Sequence, residues 1–554
     1  MTELLRRAQA WRDTDLDPDT AGRLDELIVR AQANDATIRE PALAELADAF
    51  AGPLEFGTAG LRGPIGPGPA RMNRVVVTQA AAGFAAWLAA NGHAGGKVIV
   101  GHDARKQSDE FARDTAEVMA GAGFEVLWTD EPIPTPVVAF GIQHFGCVAG
   151  VVVTASHNPP ADNGYKVYLG DGSQIVPPTD AEIAAEIADV ARGGWAVLPR
   201  SDARHDVTAE LLDAYVARAA SLYPAGSARG LVWVHTAMHG VGAKTVRRVA
   251  EAIGLPAPVE VAQQSEPNAE FPTVSFPNPE EKGAIDLALA LAEAEGADVV
   301  IANDPDADRC AVAAVVDGRW RMLTGDELGA VLGHDAIARG VPGTFANSVV
   351  SSTLLGRMAR AAGRAHVTTL TGFKWIGRVP DLAFGYEEAI GYCVDWRAVP
   401  DKDGITAALT VLRIVADLKA DGRTLADLLD DIAREHGLTA TSQLSVRVAD
   451  LSLIADAMAR LRANPPSTLL GAPVTVVDLA VGTATLPPTD GVELTGERVH
   501  VVARPSGTEP KLKCYLEVRL DAEESADVRA ARAVAAERLA ALRAQMAEAL
   551  GVDA

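Results

Sequence analysis

Cysteine is scarce in this sequence, with four among 554 residues. Cys147, Cys310, Cys393 and Cys514 lie far apart and form no C-x-x-C pair, which excludes a disulfide framework or a zinc site as the basis of the fold. Long apolar runs are missing as well. No stretch reaches the roughly 18 consecutive apolar residues of a membrane span. The N-terminus, with Glu3, Arg6, Arg7 and Asp13, has no uninterrupted apolar core of a signal peptide. Positive charge is short: 50 Lys and Arg stand against 74 Asp and Glu, a formal net charge of −24. Nucleic-acid binding, which needs a basic face to displace phosphate counterions, is thereby disfavoured. No short-period repeat is present. These absences predict a cytoplasmic globular protein with no nucleic acid, no membrane and no obligate protein partner.

What is present is ordinary in bulk, with 48% hydrophobic and 22% charged residues. The length exceeds one core and predicts three to five domains. Residues up to about Ala51 have helical spacing, as in Leu24, Leu27, Ile28 and Ala31, and read as a helical extension packed on the first domain. Strand–helix alternation follows through three units, which predicts α/β domains with mixed or parallel sheets. The boundaries expected are 1–205, 206–323, 324–440 and 441–554. The last unit reads as α+β, with the strands 444–448 and 474–478 expected to pair and a long helix from Ser525 to Leu550.

Three motifs each follow an apolar strand. Thr154 to Pro159 read T-A-S-H-N-P after the run Cys147 to Val153, so Ser156 is presented at a strand's carboxyl end, where open α/β sheets place their chemistry. A serine hydroxyl is a weak nucleophile and needs a base or metal beside it. Alone, S-H-N-P reads better as a serine capping a turn, and only beside the carboxylate loop does the nucleophile reading prevail. Asp304-Pro305-Asp306-Ala307-Asp308-Arg309 supplies three alternating carboxylates, hard oxygen ligands that suit Mg²⁺. The rivals here are an acidic surface turn or a calcium loop, and Pro305, Arg309 and the missing twelfth-position glutamate do not fit the latter. Arg309 is expected on the transferring phosphate, on the aspartates, or on both. Arg504-Pro505-Ser506-Gly507-Thr508 offers a guanidinium fork, hydroxyls and a close-approach backbone, which serve a phosphate or a strand-to-helix turn equally well.

Together with F-G-T-A-G-L-R-G at Phe56 to Gly63 and G-Y-E-E-A-I-G at Gly385 to Gly391, these motifs resemble the α-D-phosphohexomutase superfamily, the phosphoglucomutases and phosphomannomutases, in the family's order from about Glu55 to Tyr515. The resemblance implies four domains around a central cleft, the first three α/β units being structural cousins and the C-terminal one α+β. It implies a phosphoserine at Ser156, with His157, Lys166 and Arg309 catalytic. Mg²⁺ would be held by Ser156, Asp304, Asp306 and Asp308. Arg62, Lys374, Glu387, Glu388, Lys402, Arg504, Ser506, Gly507 and Thr508 would bind the sugar phosphate. His102, Asp103 and Arg105 read as support for the serine turn. The implied reaction interconverts sugar 1-phosphates with 6- or 5-phosphates through a sugar bisphosphate, which also serves as activator. Glucose is the favoured sugar, with mannose and pentose phosphates as alternatives. Where the family commonly has a serine just after the glutamates, Ala389 and Ile390 stand here, which favours the phosphoglucomutase and phosphopentomutase branch. A metal-assisted phosphatase would need no second phosphate motif, and a silent binder would have lost Ser156 or an aspartate. An acidic protein that binds anions must gather its cations in the site. Arg62, Lys166, Arg309, Lys374, Lys402, Arg504, Lys511 and Lys513 all lie in or beside the motifs.

Overall fold

The computed structural model describes residues 2–194, 198–447, 452–506 and 511–552. Three helices open the chain, Thr2–Arg12, Pro18–Ala31 and Ala36–Ala49. Asp17 and Asp35 start the second and third by accepting hydrogen bonds from the backbone N–H groups of Asp19 and Thr37. Leu24, Leu27, Ile28 and Leu46 join Val75, Phe84 and Phe111 in one buried cluster, so the extension shares the first domain's core.

The first sheet runs in the order Leu61–Pro64, Asp162–Leu169, Ala149–Val153, Lys97–His102, Glu125–Trp128, Arg204–Asp206. Its central strand is parallel to both neighbours, and Asp162–Leu169 returns antiparallel on Ala149–Val153. The second sheet runs Arg319–Met322, Cys310–Val316, Val299–Asn303, Trp233–Thr236, Val259–Glu260. Val299–Asn303 is parallel to Trp233–Thr236, and Cys310–Val316 returns antiparallel on it. The third runs His366–Thr369, Thr344–Ser348, Leu382–Glu387, Gly391–Cys393, with the same parallel pairing followed by an antiparallel return.

One event therefore recurs three times. A fully buried parallel strand ends, the chain turns, and an antiparallel strand comes back beside it. Val153, Asn303 and Glu387 are the last residues of those buried strands. Strands such as Ala149–Val153 and Val299–Asn303 read as unbroken apolar runs because helices cover both faces of the sheet. The serine, aspartate and glutamate motifs occupy the three equivalent turns. The fourth sheet is wholly antiparallel, Thr439–Arg447, Lys511–Arg519, Val499–Pro505, Val492–Thr495, Thr475–Asp478, and the helix Val528–Leu550 packs on it.

Three expectations need correction. The strands around 444–448 and 474–478 do not pair; they are opposite edges of the fourth sheet, because Lys511–Arg519 zips onto the whole length of Thr439–Arg447. Residue 205 falls within the strand Arg204–Asp206 and residue 440 within Thr439–Arg447, so both boundaries cut strands. The long helix begins at Val528, since Asp527 caps it by accepting from Ala530 N. Among the described helices, Arg74–His93 alone has the length and hydropathy to cross a membrane. Thr78 and Gln79 interrupt its apolar run, 67% of the apolar window is buried, and it packs between Ser108–Gly121 and Thr179–Gly193.

Candidate active site

Ser156 stands in the turn after Ala149–Val153 with φ of 51°, a left-handed conformation that a non-glycine residue keeps only when its surroundings impose it. Arg105 imposes it. Its Nη2 donates to the carbonyls of Ser156 (2.6 Å) and Asn158 (2.7 Å), and Nη1 donates to those of Pro159 and Asp162. Asp103 fixes Arg105 through an ion pair of 3.3 Å and accepts from Thr154 Oγ1 at 2.7 Å, while Thr154 Oγ1 accepts from Ser156 N. His102 contributes through its Nδ1, 2.7 Å from the Asp103 carbonyl. Arg62 completes the turn from across the sheet, its Nη1 donating to Asn158 Oδ1 at 3.0 Å.

The hydroxyl so placed points at the aspartate loop. Ser156 Oγ donates to Asp304 Oδ2 at 2.9 Å and lies 3.2 Å from His157 Nδ1. Asp304, Asp306 and Asp308 are buried, and one ligand oxygen from each falls within 4.8 Å of the others. Lys166 Nζ donates to Asp306 Oδ2 and Asp308 Oδ2, both at 2.7 Å, and Lys402 Nζ lies 3.4 Å from Asp308 Oδ2. Thr135, which opens the helix Thr135–His144, donates its hydroxyl to Asp306 Oδ2 at 2.6 Å. Asp306 Oδ1 and Asp308 Oδ1 remain buried with no hydrogen-bond partner among the described residues. Buried carboxylate oxygens are costly to leave unpaired, so the donor set, three hard anionic oxygens with two unsatisfied, fits a hard divalent cation.

The electrostatics divide the titratable groups. Burial, helped by Arg309 and Arg62, holds the His157 imidazole well below its ordinary value, so it is neutral near pH 7. Burial works against the Lys166 ammonium too, but Asp306 and Asp308 outweigh it and keep the amine protonated. Burial, with Asp308 alongside, pushes the Asp306 carboxyl up to about 6.

The residues of the motif Gly385 to Gly391 meet this centre directly. Arg309 Nη1 donates to the Ala389 carbonyl, Cys310 N donates to the Ile390 carbonyl, and Arg309 bridges to Gly391. Glu387 accepts from Gly372 N at 2.8 Å, and Glu388 Oε2 accepts from Ser348 Oγ (3.1 Å) and Ser351 Oγ (2.8 Å). Lys374 donates to Thr58 Oγ1, tying the third domain to the first motif. Burial lowers the Lys374 ammonium, and Arg504 lowers it further, so these two cations lie within electrostatic reach across the cleft. Arg504, on Val499–Pro505, is half-buried with Nε unpartnered among the described residues. Ser506 N donates to the Lys511 carbonyl, whereas Gly507 and Thr508 lie outside the described residues.

Sequence reasoning passed over Thr135, Ser348, Ser351 and Thr58. Only Thr58 sits inside a motif; the others meet their carboxylates across distances in the chain that leave no local signal. It also passed over residues 261–285, a connection without helix or strand between Val259–Glu260 and Asp286–Glu295. Its length was the signal, since structureless connections beyond roughly 12–15 residues are uncommon unless functional.

Comparison with known proteins agrees with this arrangement. Family profiles described as phosphoglucomutase/phosphomannomutase alpha/beta/alpha domains I, II and III and C-terminal domain match residues 53–192, 213–316, 324–436 and 444–535. A probable phosphomannomutase of Haemophilus influenzae is 48% identical over 463 residues, 82% of this chain and 95% of its own. A probable phosphoribomutase of Schizosaccharomyces pombe is 37% identical over 508 residues, covering 84% and 86%. The crystal structure of a putative phosphomannomutase from Thermus thermophilus superposes with a TM-score of 0.69 at 27% identity, over 87% of this chain and 99% of that one. With all four domain types present in order, the chain belongs to the phosphoglucomutase/phosphomannomutase family of the α-D-phosphohexomutase superfamily, and is an isomerase of the intramolecular phosphotransferase class.

Proposed function

We propose that the chain interconverts sugar 1-phosphates and sugar 6- or 5-phosphates through a phosphoserine at Ser156, and the observation that carries this is Ser156 Oγ at 2.9 Å from Asp304 in a turn held strained by Arg105. Phosphoserine 156 donates its phosphoryl group to a hydroxyl of the bound monophosphate, giving a bisphosphate. The bisphosphate reorients, and its other phosphate returns to Ser156. In the first half the P–Oγ bond breaks as the bond from phosphorus to the sugar oxygen forms. The hydroxyl loses a proton and Ser156 Oγ regains one. His157 Nδ1, neutral and 3.2 Å from Oγ, is placed to relay it.

Ser156, Asp304, Asp306 and Asp308 are the residues that would hold Mg²⁺. Bound there, the ion would balance the roughly two negative charges of a phosphoserine and offset the charge that grows during transfer. Lys166 and Lys402 neutralise the aspartates, and Arg309 is aimed between them and the sugar loop. Glu387 and Glu388 accept hydrogen bonds from sugar hydroxyls. Arg62, beside the Ser156 turn, and Lys374 line the cleft as substrate contacts, and Arg504 and the segment from Ser506 to Thr508 grip the distal phosphate.

Glucose phosphate is the sugar proposed first. A second reading, pentose phosphate, is favoured by the likeness to the probable phosphoribomutase of Schizosaccharomyces pombe. A cytoplasmic setting goes with either reading, and all four cysteines are buried and unpaired. A coupled assay of purified protein with the 1-phosphates of glucose, mannose, ribose and deoxyribose, primed with a sugar bisphosphate, decides among them. Fastest turnover of ribose 1-phosphate would replace the glucose reading. No turnover of any of the four, with no phosphate gained on Ser156, would remove the mutase reading altogether.

A further inference from the structure

The connection 261–285 crosses from the second domain to the first and then to the sugar loop, held at each step. Glu270 pairs with Lys106 at 2.6 Å, and the Phe271 ring lies 5.1 Å under the Arg105 guanidinium. Phe276 then packs against His157, ring centroids 6.2 Å apart, next to the proposed nucleophile. Four residues later comes Glu280. The run between is stiff: Pro277 and Pro279 are buried, each with φ fixed by its ring, and Asn278 Oδ1 accepts from Glu280 N at 3.1 Å. A rigid strut thus reaches from His157 to a cavity of about 240 Å³ lined by Glu280, Glu388, Ala389, Lys513 and Tyr515.

Glu280 is unlike the acids around it. Its side chain is exposed to the cavity, and its carboxyl group makes no hydrogen bond or ion pair among the described residues. Asp326 and Glu517, on the same cavity, are each satisfied by backbone and hydroxyl donors. Glu388 Oε1 has no hydrogen-bond partner among the described residues, while the serines hold Oε2. The wall beside it, Ala389, offers no side-chain polar group.

From this geometry we infer that Glu280 is a sugar-contact residue, its carboxyl hydrogen-bonding a substrate hydroxyl opposite Glu388 from the side of the second domain. The inference rests on the mutase reading above. It also explains why a long connection is braced so tightly: a flexible one would lose the entropy of ordering each time sugar bound. The cavity walls, with Glu388 nearby, push the carboxyl upward despite Arg309 and Lys513. Among its neighbours Arg309 and Lys513 favour the ionised form, and Glu388 and Glu281 the protonated one.

The test is Glu280→Ala and Glu280→Gln in the full-length protein with Mg²⁺. KM for the sugar monophosphate turned over best by wild type and Ki for inorganic phosphate are measured with each. A phosphate ion fills a phosphate site without touching a sugar contact. Glu280→Ala should raise KM roughly 10- to 100-fold, the loss of one hydrogen bond to a partly charged group, with kcat changed less than about 3-fold. Ki for inorganic phosphate and the melting temperature should stay at wild-type values. Glu280→Gln, which still donates and accepts, should recover most of KM. An unchanged KM, or KM and Ki rising together, overturns the inference by showing a spectator or a general electrostatic effect. Wild type inactive on every sugar phosphate would instead bring down the mutase reading, and this inference with it.

Discussion

At Ser156, Ala307 and Ile390 the backbone takes φ of 51°, 55° and 52°, one left-handed non-glycine residue in each of the three equivalent turns. For the β-branched Ile390 this is a clear outlier. Strain of this kind costs about 1–3 kcal/mol per residue and survives only where neighbours over-determine it, as Arg105 does for Ser156 with four donated hydrogen bonds. The consequence is a hydroxyl aimed at Asp304. Ser156→Ala should abolish turnover while leaving the fold intact. Intact-mass measurement after incubation with a sugar bisphosphate should show one phosphate on wild type and none on the variant; a fully active alanine variant would end the phosphoserine mechanism. The orphaned oxygens of Asp306 and Asp308 lead to a second expectation. Chelation should inactivate the enzyme and Mg²⁺ should restore it, and Mg²⁺ should raise the melting temperature of wild type but much less that of Asp306→Asn. Activity that survives exhaustive chelation would mean the loop holds no required metal. Ser156 and the three aspartates were legible because their chemistry is written in adjacent residues. Thr135 was not, because it reaches Asp306 from 171 residues away.

The turns owe their positions to the starts of helices. Gly404 is the first residue of Gly404–Ala420, and a Cβ there would come 2.2 Å from the Arg309 carbonyl and 2.8 Å from that of Ala307. Gly325, first residue of Gly325–Ala338, is closer still: a Cβ would meet the Glu388 carbonyl oxygen at 1.7 Å. Each helix start is therefore pressed onto a motif turn with only hydrogen between. Gly404→Ala must push the aspartate turn away by a substantial part of an ångström. Since misplacement by about 1 Å costs on the order of 100-fold in rate, kcat should fall roughly 10- to 100-fold with the protein still folded by circular dichroism. An unaltered kcat would mean that the loop is free to shift without cost. The sequence carried the helices and most strands because periodicity is local. It did not carry the edge order of the fourth sheet, in which Thr439–Arg447 chooses a partner more than sixty residues downstream over the nearer Thr475–Asp478. That choice is made by register and burial after the chain has closed on itself.

Across the whole molecule, four sheets bring together a serine, a trio of aspartates that could hold a metal, a pair of glutamates and an arginine from four segments of chain. A chain with net charge −24 repels an anionic substrate from afar, so the cations gathered there must do the holding. The kinship of the first three domains, invisible in spacing, is plain in the repeated parallel strand, turn and antiparallel return. The fourth domain breaks that pattern, and the contribution proposed for it is the distal grip. A reorienting bisphosphate needs a second anchor while its first phosphate is released, and that part is proposed for Arg504, unpartnered at Nε among the described residues and within electrostatic reach of Lys374. Arg504→Ala removes a charge-assisted contact that typically stabilises by about 1.5–3 kcal/mol. KM for the monophosphate should rise roughly 10- to 150-fold if the whole contact is lost. The bisphosphate should also escape more often in mid-reaction, leaving Ser156 without its phosphate. The variant should consequently release more bisphosphate per turnover and depend more strongly on added bisphosphate than wild type. A phosphatase would show neither effect, because it has no intermediate to lose. If KM and bisphosphate release both stay at wild-type values, Arg504 only supports its turn and the distal phosphate is held elsewhere in the cleft.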